Sequence, residues 1–273
     1  MTITRREAVA LLERHGVKPS RALGQNFVVD PNTVRRIARL AEVGPGDHVI
    51  EVGAGLGALT LALAETGAEV TAVELDRHLL PALHEVVAGS SVQVVESDAM
   101  TLPWDDVLAG AETWSLVANL PYNVAVPLVL DVLDRAPAID SMLVMVQREV
   151  GERLAAGPGE AAYGIPSVRV AYWGAAEVVG RVPASVFLPR PRVESVLVRI
   201  RRHDRPAVDA DPDRLFRLVR AGFGQRRKML RRALAGLVEP EAFAAADISP
   251  ASRAEELGLS DWARLERATR PAV

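Results

Sequence analysis

With 273 residues, 49% hydrophobic and 25% charged, the chain can bury one sizeable core and a smaller second one. It contains no cysteine, which excludes disulfides, thiolate metal sites and cysteine nucleophiles. No apolar run reaches bilayer length and the start, Met1-Thr2-Ile3-Thr4-Arg5-Arg6, lacks the apolar core of a signal peptide, so the expectation is a cytoplasmic protein with no membrane partner.

The net charge of −3 is unevenly spread. Residues 1–50 carry eight Arg/Lys against five Asp/Glu, and residues 51–189 carry six against eighteen. Residues 190–234 reverse this with fourteen against five, and 235–273 carry four against seven. A basic block on an acidic body is an electrostatic footprint for phosphate; a solvated basic helix has the same composition.

In chain order, residues 5–15 predict a short amphipathic helix carrying Ala8, Val9, Leu11 and Leu12. Residues 18–30 are too polar and too punctuated by Gly and Pro for a strand. Their Gln25-Asn26-Phe27 group reads as a surface loop or as amides and a ring folded over a ligand. Asp30 before Pro31 is an N-cap with proline at the first helical position, so a helix should run to about Glu42.

His48–Val52 predicts a strand, and Gly53-Ala54-Gly55-Leu56-Gly57-Ala58 a glycine turn opening a helix that ends near Gly67. Such a turn lets the backbone approach a ligand at a helix N-terminus. Val70–Glu74 is the next strand, with Glu74 about twenty residues past the first glycine, as expected for an acid gripping ribose hydroxyls. Gly53-x-Gly55-x-x-Ala58 also satisfies the dinucleotide pattern, so an NAD enzyme stays open at this point.

A third strand, Val92–Ala99, ends in an acid: Asp98 is placed to accept from an adenine amine. The apolar run Trp114–Ala118 then stops at Asn119-Leu120-Pro121-Tyr122. Pro121 ends ladder pairing and biases Leu120 to an extended conformation, which frees backbone carbonyls for a ligand. An amide, a carbonyl and an aromatic ring within four residues suit a flat heterocycle with an exocyclic amine. Taken alone, the same residues also read as a strand followed by a proline turn.

A helix at Val126–Leu133, a strand at Met142–Val146, a helix starting at Gln147-Arg148-Glu149-Val150 and another at Ile165–Tyr172 follow. Glu177–Val182 and Val193–Ile200 predict an antiparallel hairpin at the sheet edge, joined by Phe187-Leu188-Pro189-Arg190-Pro191, a stiff segment with an exposed aromatic. Strands alternating with helices give an α/β, doubly wound, mostly parallel sheet with its ligand at the strands' C-terminal ends.

Beyond Asp204-Arg205-Pro206 the pattern is helical only. Leu215, Leu218, Val219 and Phe223 share one face, and Gln225–Leu234 predicts a strongly basic second helix presenting Arg226, Arg227, Lys228, Arg231 and Arg232 to phosphates. Short helices near 241–246, 252–257 and 261–268 complete a helical appendage. The expected division is a sheet domain at 1–204, with an N-terminal helical extension to about 45, and a C-terminal helical domain at 205–273. The five histidines lack metal-ligand spacing, so no metal is expected, and Trp104, Trp114, Trp173 and Trp262 are expected in or near the core.

Seven stretches in this order resemble the KsgA/RsmA family of small-subunit rRNA adenine dimethyltransferases. They are Leu23-Gly24-Gln25-Asn26-Phe27, Glu51 to Thr60, Glu74, Ser97-Asp98-Ala99, Asn119-Leu120-Pro121-Tyr122-Asn123, Phe187-x-Pro189-x-Pro191-x-Val193 and Gln225-Arg226-Arg227-Lys228. Leu120 stands where the family commonly has Ile, and Val28 where it has Leu, both conservative. The resemblance implies a Rossmann-like class I methyltransferase sheet with S-adenosylmethionine as cofactor. Its pocket would be lined by Gln25, Asn26, Val28, Gly53, Gly55, Glu74, Leu75, Asp98, Ala99 and Asn119. Glu74 would hold the ribose hydroxyls and Asp98 the adenine amine. Asn119, Leu120 and Tyr122 would form the methyl-acceptor site, with Phe187 as a second wall. The implied partner is small-subunit rRNA within a 30S-type particle, met by a monomer.

Three other readings compete. A resistance-type large-subunit rRNA adenine methylase shares the core motifs. DNA adenine methylases typically carry Asp/Asn-Pro-Pro-Tyr, whereas here Leu120 replaces the first proline. A non-catalytic nucleic-acid-binding or assembly factor on this fold would have no need of Gly53, Glu74, Asp98 and Asn119 together.

Overall fold

The Thr4 side chain starts α1 (Arg5–Arg14) by accepting from the Glu7 N–H, while the Glu7 carboxylate reaches back to the Thr4 N–H at 2.8 Å. The computed structural model describes residues 2–270. β1 (Phe27–Val28) leads to α2 (Pro31–Ala41), where Asp30 accepts from the Thr33 N–H at 2.8 Å, the cap its Asp-Pro pair predicts.

Four strand–helix steps follow. They are β2 (His48–Val52) with α3 (Ala58–Ala64), β3 (Glu69–Glu74) with α4 (Leu80–Val87), β4 (Gln93–Glu96) with α5 (Trp104–Val107), and β5 (Trp114–Asn119) with α6 (Ala125–Arg135). Then come β6 (Ile139–Gln147), α7 (Arg148–Ala155), α8 (Ile165–Trp173), β7 (Gly174–Val182), β8 (Phe187–Leu188) and β9 (Ser195–Arg202). The chain ends in α9 (Pro212–Gly224), α10 (Leu230–Ala233), α11 (Pro240–Ala245) and α12 (Leu259–Ala268).

Seven strands form one sheet in the order β4-β3-β2-β5-β6-β9-β7. The β2–β3, β3–β4, β2–β5 and β5–β6 pairs are parallel, and β9 runs antiparallel to β6. The chain winds outward from β2 through β3 to β4, then returns to place β5 on the other side of β2. That reversal opens a crevice beyond the carboxyl ends of β2 and β5, where doubly wound sheets bind ligands. The Val/Ile-rich runs suit strands covered on both faces: Val49, Ile50, Leu116, Val117, Val144 and Val198 are all buried.

Long-range pairing changes two local expectations. Residues 18–30 do contain a strand, since Phe27 and Val28 pair antiparallel with Leu188 and Phe187. A two-residue ladder between segments this far apart leaves no periodicity for a local pattern to show. The same ladder turns Phe187 inward. Its ring is fully buried (0% exposed) in the core that holds Phe27 and Val28, not displayed on the surface.

The chain divides into two compact units, one of residues up to Gly151 with Glu177–Arg202, the other of Glu152–Ala176 with the residues from His203 on. This differs from a boundary at 204. The reason is in the second unit's own core, where Tyr163, Val168 and Tyr172 pack with Leu215, Phe216 and Trp262. The Tyr163 hydroxyl donates to the Leu257 carbonyl at 2.9 Å, and the Tyr172 hydroxyl to the Ala210 carbonyl at 3.1 Å. Trp104 and Trp114 are buried, and Trp173 packs partly buried against this core.

The basic stretch is not one helix. α9 stops at Gly224, residues 225–228 form a turn closed by the Lys228 N–H to the Gln225 carbonyl at 2.7 Å, and α10 covers only Leu230–Ala233. Leu230 and Ala233 are buried, and this short apolar face sets where the helix restarts.

Candidate active site

The crevice at the sheet's reversal is a pocket of about 240 Å³. Gly53 and Gly55 turn the chain out of β2 with φ of +77° and +59°, in the left-handed region that suits glycine. At Gly55 a Cβ would also lie 3.0 Å from the Phe27 ring, so the turn needs glycine for space as well as for backbone angle.

Glu74 ends β3 inside this pocket, with its two oxygens on separate donors. The Gly55 N–H donates to Oε2 at 2.7 Å and the Asp76 N–H to Oε1 at 2.8 Å. Burial pushes its carboxyl up, and these backbone hydrogen bonds partly oppose that. Each oxygen keeps a lone pair for a further donor, such as a vicinal diol. Leu75 stands at the rim, 50% exposed, and Ser97, Asp98, Ala99 and Met100 form an adjoining wall. Asp98 lies past the end of β4, in a loop, where its Oδ1 accepts from the Met100 N–H at 2.9 Å.

The loop ahead of β1 lines the same pocket through Leu23 to Phe27. Gln25 Oε1 accepts from the Ser20 N–H at 2.7 Å and its Nε2 donates to Asp76 Oδ2 at 2.8 Å, which ties the loop to the turn below Glu74. Asn26 Nδ2 donates to the Gly24 carbonyl at 3.0 Å, and the Asn26 carbonyl accepts from Asn119 Nδ2 at 2.8 Å. Val28, expected in the same lining, is absent from it; it is buried and lines instead a smaller cavity of about 30 Å³ shared with Glu51, Gly55 and Asn119.

Asn119 is the last residue of β5. A carbonyl can only accept, so the Asn26 contact fixes which way the Asn119 amide points. Among the described residues nothing donates to Asn119 Oδ1 or to the Leu120 carbonyl. The Leu120 side chain is buried (1% exposed) and its N–H donates to the Met145 carbonyl at 3.1 Å, so the strand tip is anchored on the sheet side. Tyr122 lines the pocket half-buried, its hydroxyl 3.1 Å from Ser195 Oγ. Burial raises its phenol, and the Ser195 contact opposes the shift. Phe187 is absent from this lining and supports the loop from below through β1.

The model of the family described as ribosomal RNA adenine dimethylase matches residues 17–269. The chain belongs to that family. It is 48% identical to the ribosomal RNA small subunit methyltransferase A of Kineococcus radiotolerans, over 96% of this chain and 90% of the relative. It is also 48% identical to the protein of that name from Cutibacterium acnes, over 94% and 91%. Among solved structures, the 23S rRNA methyltransferase ErmE superposes with a TM-score of 0.70 at 25% identity, covering 89% of this chain and 98% of that one. A dimethyladenosine transferase from Plasmodium falciparum gives a TM-score of 0.75 at 22% identity, over 86% and 94%, a likeness of fold. The sheet is therefore the Rossmann-like sheet of class I methyltransferases, and the dehydrogenase reading of the glycine turn is set aside.

Two contacts in this adenine dimethylase are not legible in the sequence, although Glu51 itself opens one of the family-like stretches. Glu51, on β2, is buried beside the smaller cavity with the Thr60 hydroxyl donating to its Oε2, and burial pushes its carboxyl up to about 8. Ser195, at the start of β9, is the partner of Tyr122. Neither is recognisable without knowing what each strand faces.

The basic residues separate into two kinds. Arg226 is spent inside its own unit, with Nε on Glu255 Oε2 at 2.6 Å and a terminal nitrogen on the Ala161 carbonyl at 2.9 Å. Arg227, Lys228, Arg231 and Arg232 are exposed. Among the described residues no group of three His, Cys, Asp or Glu is arranged to hold a metal ion, and no helix is long and apolar enough to cross a membrane.

Proposed function

We propose that this adenine dimethylase transfers methyl groups from S-adenosylmethionine to N6 of adenines, two of them adjacent, in small-subunit rRNA during assembly of a 30S-type particle. The observation that carries the reading is the pair of uncommitted acceptors at the strand tip, Asn119 Oδ1 and the Leu120 carbonyl, in one pocket with Glu74 and the glycine turn. The small-subunit assignment is supported by relatives at 48% identity that carry that name.

The pocket's donor set suits the cofactor. Glu74, with a lone pair left on each anchored oxygen, would hold the ribose hydroxyls. Leu75 and Asp98 would hold the adenine by its face and its amine, and the Cβ-free backbone at Gly53 and Gly55 would admit the amino-acid end. When bound, S-adenosylmethionine supplies an electrophilic methyl group on a sulfonium.

The chain's own residues do the rest. Adenine N6 is a poor nucleophile because its lone pair is delocalised into the ring. Asn119 Oδ1 and the Leu120 carbonyl accept the two N6 hydrogens and favour a pyramidal nitrogen, so the lone pair is concentrated toward the cofactor end of the pocket. The contribution is orientation and electrostatics from acceptors held before substrate arrives. Tyr122 stacks on the extruded base, worth about 1–3 kcal/mol. The methylated nitrogen, while cationic, is acidic enough to lose its proton to solvent, so no dedicated base is required. A monomethylated N6 still has one hydrogen, and the same two acceptors can hold it for a second transfer. Arg227, Lys228, Arg231 and Arg232 supply phosphate contacts.

The likeness to the 23S rRNA methyltransferase ErmE supports a second reading, action on the large subunit. Unmethylated small and large subunits incubated separately with labelled S-adenosylmethionine, followed by mapping of the modified bases, decide between them. Dimethyladenine confined to the small subunit is the expected result. Label in the large subunit alone, or in neither, overturns the proposal.

A further inference from the structure

We propose that Ser195 is a positioning residue for the acceptor adenine, holding the Tyr122 ring in place through its hydroxyl before the base arrives. Ser195 is fully buried (0% exposed), opens β9 and pairs with Gln147 at the end of β6. The preceding carbonyl, of Glu194, accepts from the Arg148 N–H at 3.0 Å, so the serine and the residue before it are both tied to the end of β6 and the residue that follows it. Its Oγ lies 3.1 Å from the Tyr122 hydroxyl, the one side-chain partner it has among the described residues.

Tyr122 itself sits outside regular structure, in the turn between β5 and α6 that the Val124 N–H closes on the Pro121 carbonyl at 3.2 Å. An aromatic on a turn has two free side-chain torsions unless its far end is held. Here the far end is held by the sheet, so the cost of ordering the ring is met in folding and not at substrate binding. The arrangement also explains how the segment after β8 serves the site although Phe187 does not touch it. The segment delivers the chain to β9, and Ser195 on β9 reaches the acceptor side.

The inference rests on the reading of Tyr122 as the platform for the target base. It carries a distinct signature. The first transfer is held by two N6 hydrogens and the ring, the second by one hydrogen and the ring. A loosened ring therefore slows the second transfer more, and monomethyladenine accumulates.

The test compares wild type, Ser195→Ala, Ser195→Thr, Tyr122→Phe and the Ser195→Ala/Tyr122→Phe double variant on unmethylated small subunits, scoring mono- and dimethyladenine by mass spectrometry. Loss of one neutral hydrogen bond predicts about 3- to 10-fold slower second transfer in each single variant. The double variant should be no slower than either single one, threonine should restore the product ratio, and cofactor affinity should be unchanged. A wild-type product ratio in Ser195→Ala, or additive losses in the double variant, overturns the proposal. The contact is also judged without turnover, from the ¹³Cζ resonance of Tyr122 in ¹³C-tyrosine-labelled protein. It should shift and broaden in Ser195→Ala, and an unchanged resonance sinks the proposal even if methyl transfer itself fails in wild type and takes the functional reading with it.

Discussion

Asn119 and Asn26, 93 positions apart in the chain, share a 2.8 Å hydrogen bond from the side-chain amide of the first to the main-chain carbonyl of the second. One contact thereby orients the Asn119 side-chain oxygen and ties down the loop, Leu23 to Phe27, that lines the same pocket. Asn119→Ala removes both the oxygen and the tie. Methyl transfer should fall by about 10²-fold or more, the scale for deleting a preorganised polar group. Binding of S-adenosylmethionine should stay measurable by calorimetry, because Glu74 and its two backbone donors are untouched. Near-normal turnover in this variant would falsify the assigned role.

Glu51 gives a stability prediction with a definite sign. Folded, its carboxyl keeps a proton up to about 8 because burial outweighs the Thr60 hydrogen bond; unfolded, it titrates near 4.5. Between those values the folded state binds the extra proton. Its contribution is complete below pH 4.5 and is lost as pH rises through 8, a change on the order of a few kcal/mol. Glu51→Gln, neutral throughout, should flatten the fall in stability over this range and raise the melting temperature at pH 8. Chemical denaturation of both proteins at pH 5, 6.5 and 8 checks it; parallel curves would mean Glu51 is ionised when folded.

Phe187 offers a sharp contrast between support and contact. It is buried on β8, paired with Val28, and outside the pocket lining, so Phe187→Leu, which keeps an apolar side chain but removes part of its volume, should lower stability less than truncation to alanine and leave most of the turnover intact. Phe187→Ala leaves a cavity under the β1–β8 ladder and should cost about 3–5 kcal/mol. Melting curves set beside initial rates separate these. A severe rate loss in the leucine variant at near-normal stability would put the ring back at the substrate.

The basic stretch should divide the same way. Reversing the charge at Arg227 and Lys228 should weaken RNA binding and reduce the slope of log affinity against log salt by about 0.7–0.9 for each lost phosphate contact. Cofactor affinity should not change. Arg226→Gln should instead lower the melting temperature, since that guanidinium bridges Glu255 and the Ala161 carbonyl. Filter binding across a salt series reads the first effect and thermal melts the second; an unchanged salt slope in the charge-reversed variant would make that turn a solvated surface only.

By itself the amino-acid order determined the winding of the sheet, the Asp30 cap, the glycine turn and the strand that ends at Asn119. Each is a short-range signal: a run of branched apolar residues, a capping side chain before proline, glycines where the backbone must turn left-handed. What the tertiary structure decided were partners. It paired Phe27–Val28 with Phe187–Leu188, drew Phe187 inside, set Ser195 against Tyr122, committed Arg226 to Glu255 and the Ala161 carbonyl and moved residues 152–176 into the helical unit. None of these has a local signature, because a serine, a phenylalanine or an arginine has the same propensities whichever distant residue it meets. Which face of a strand is buried, and what lies across from it, is settled only when separate segments pack together.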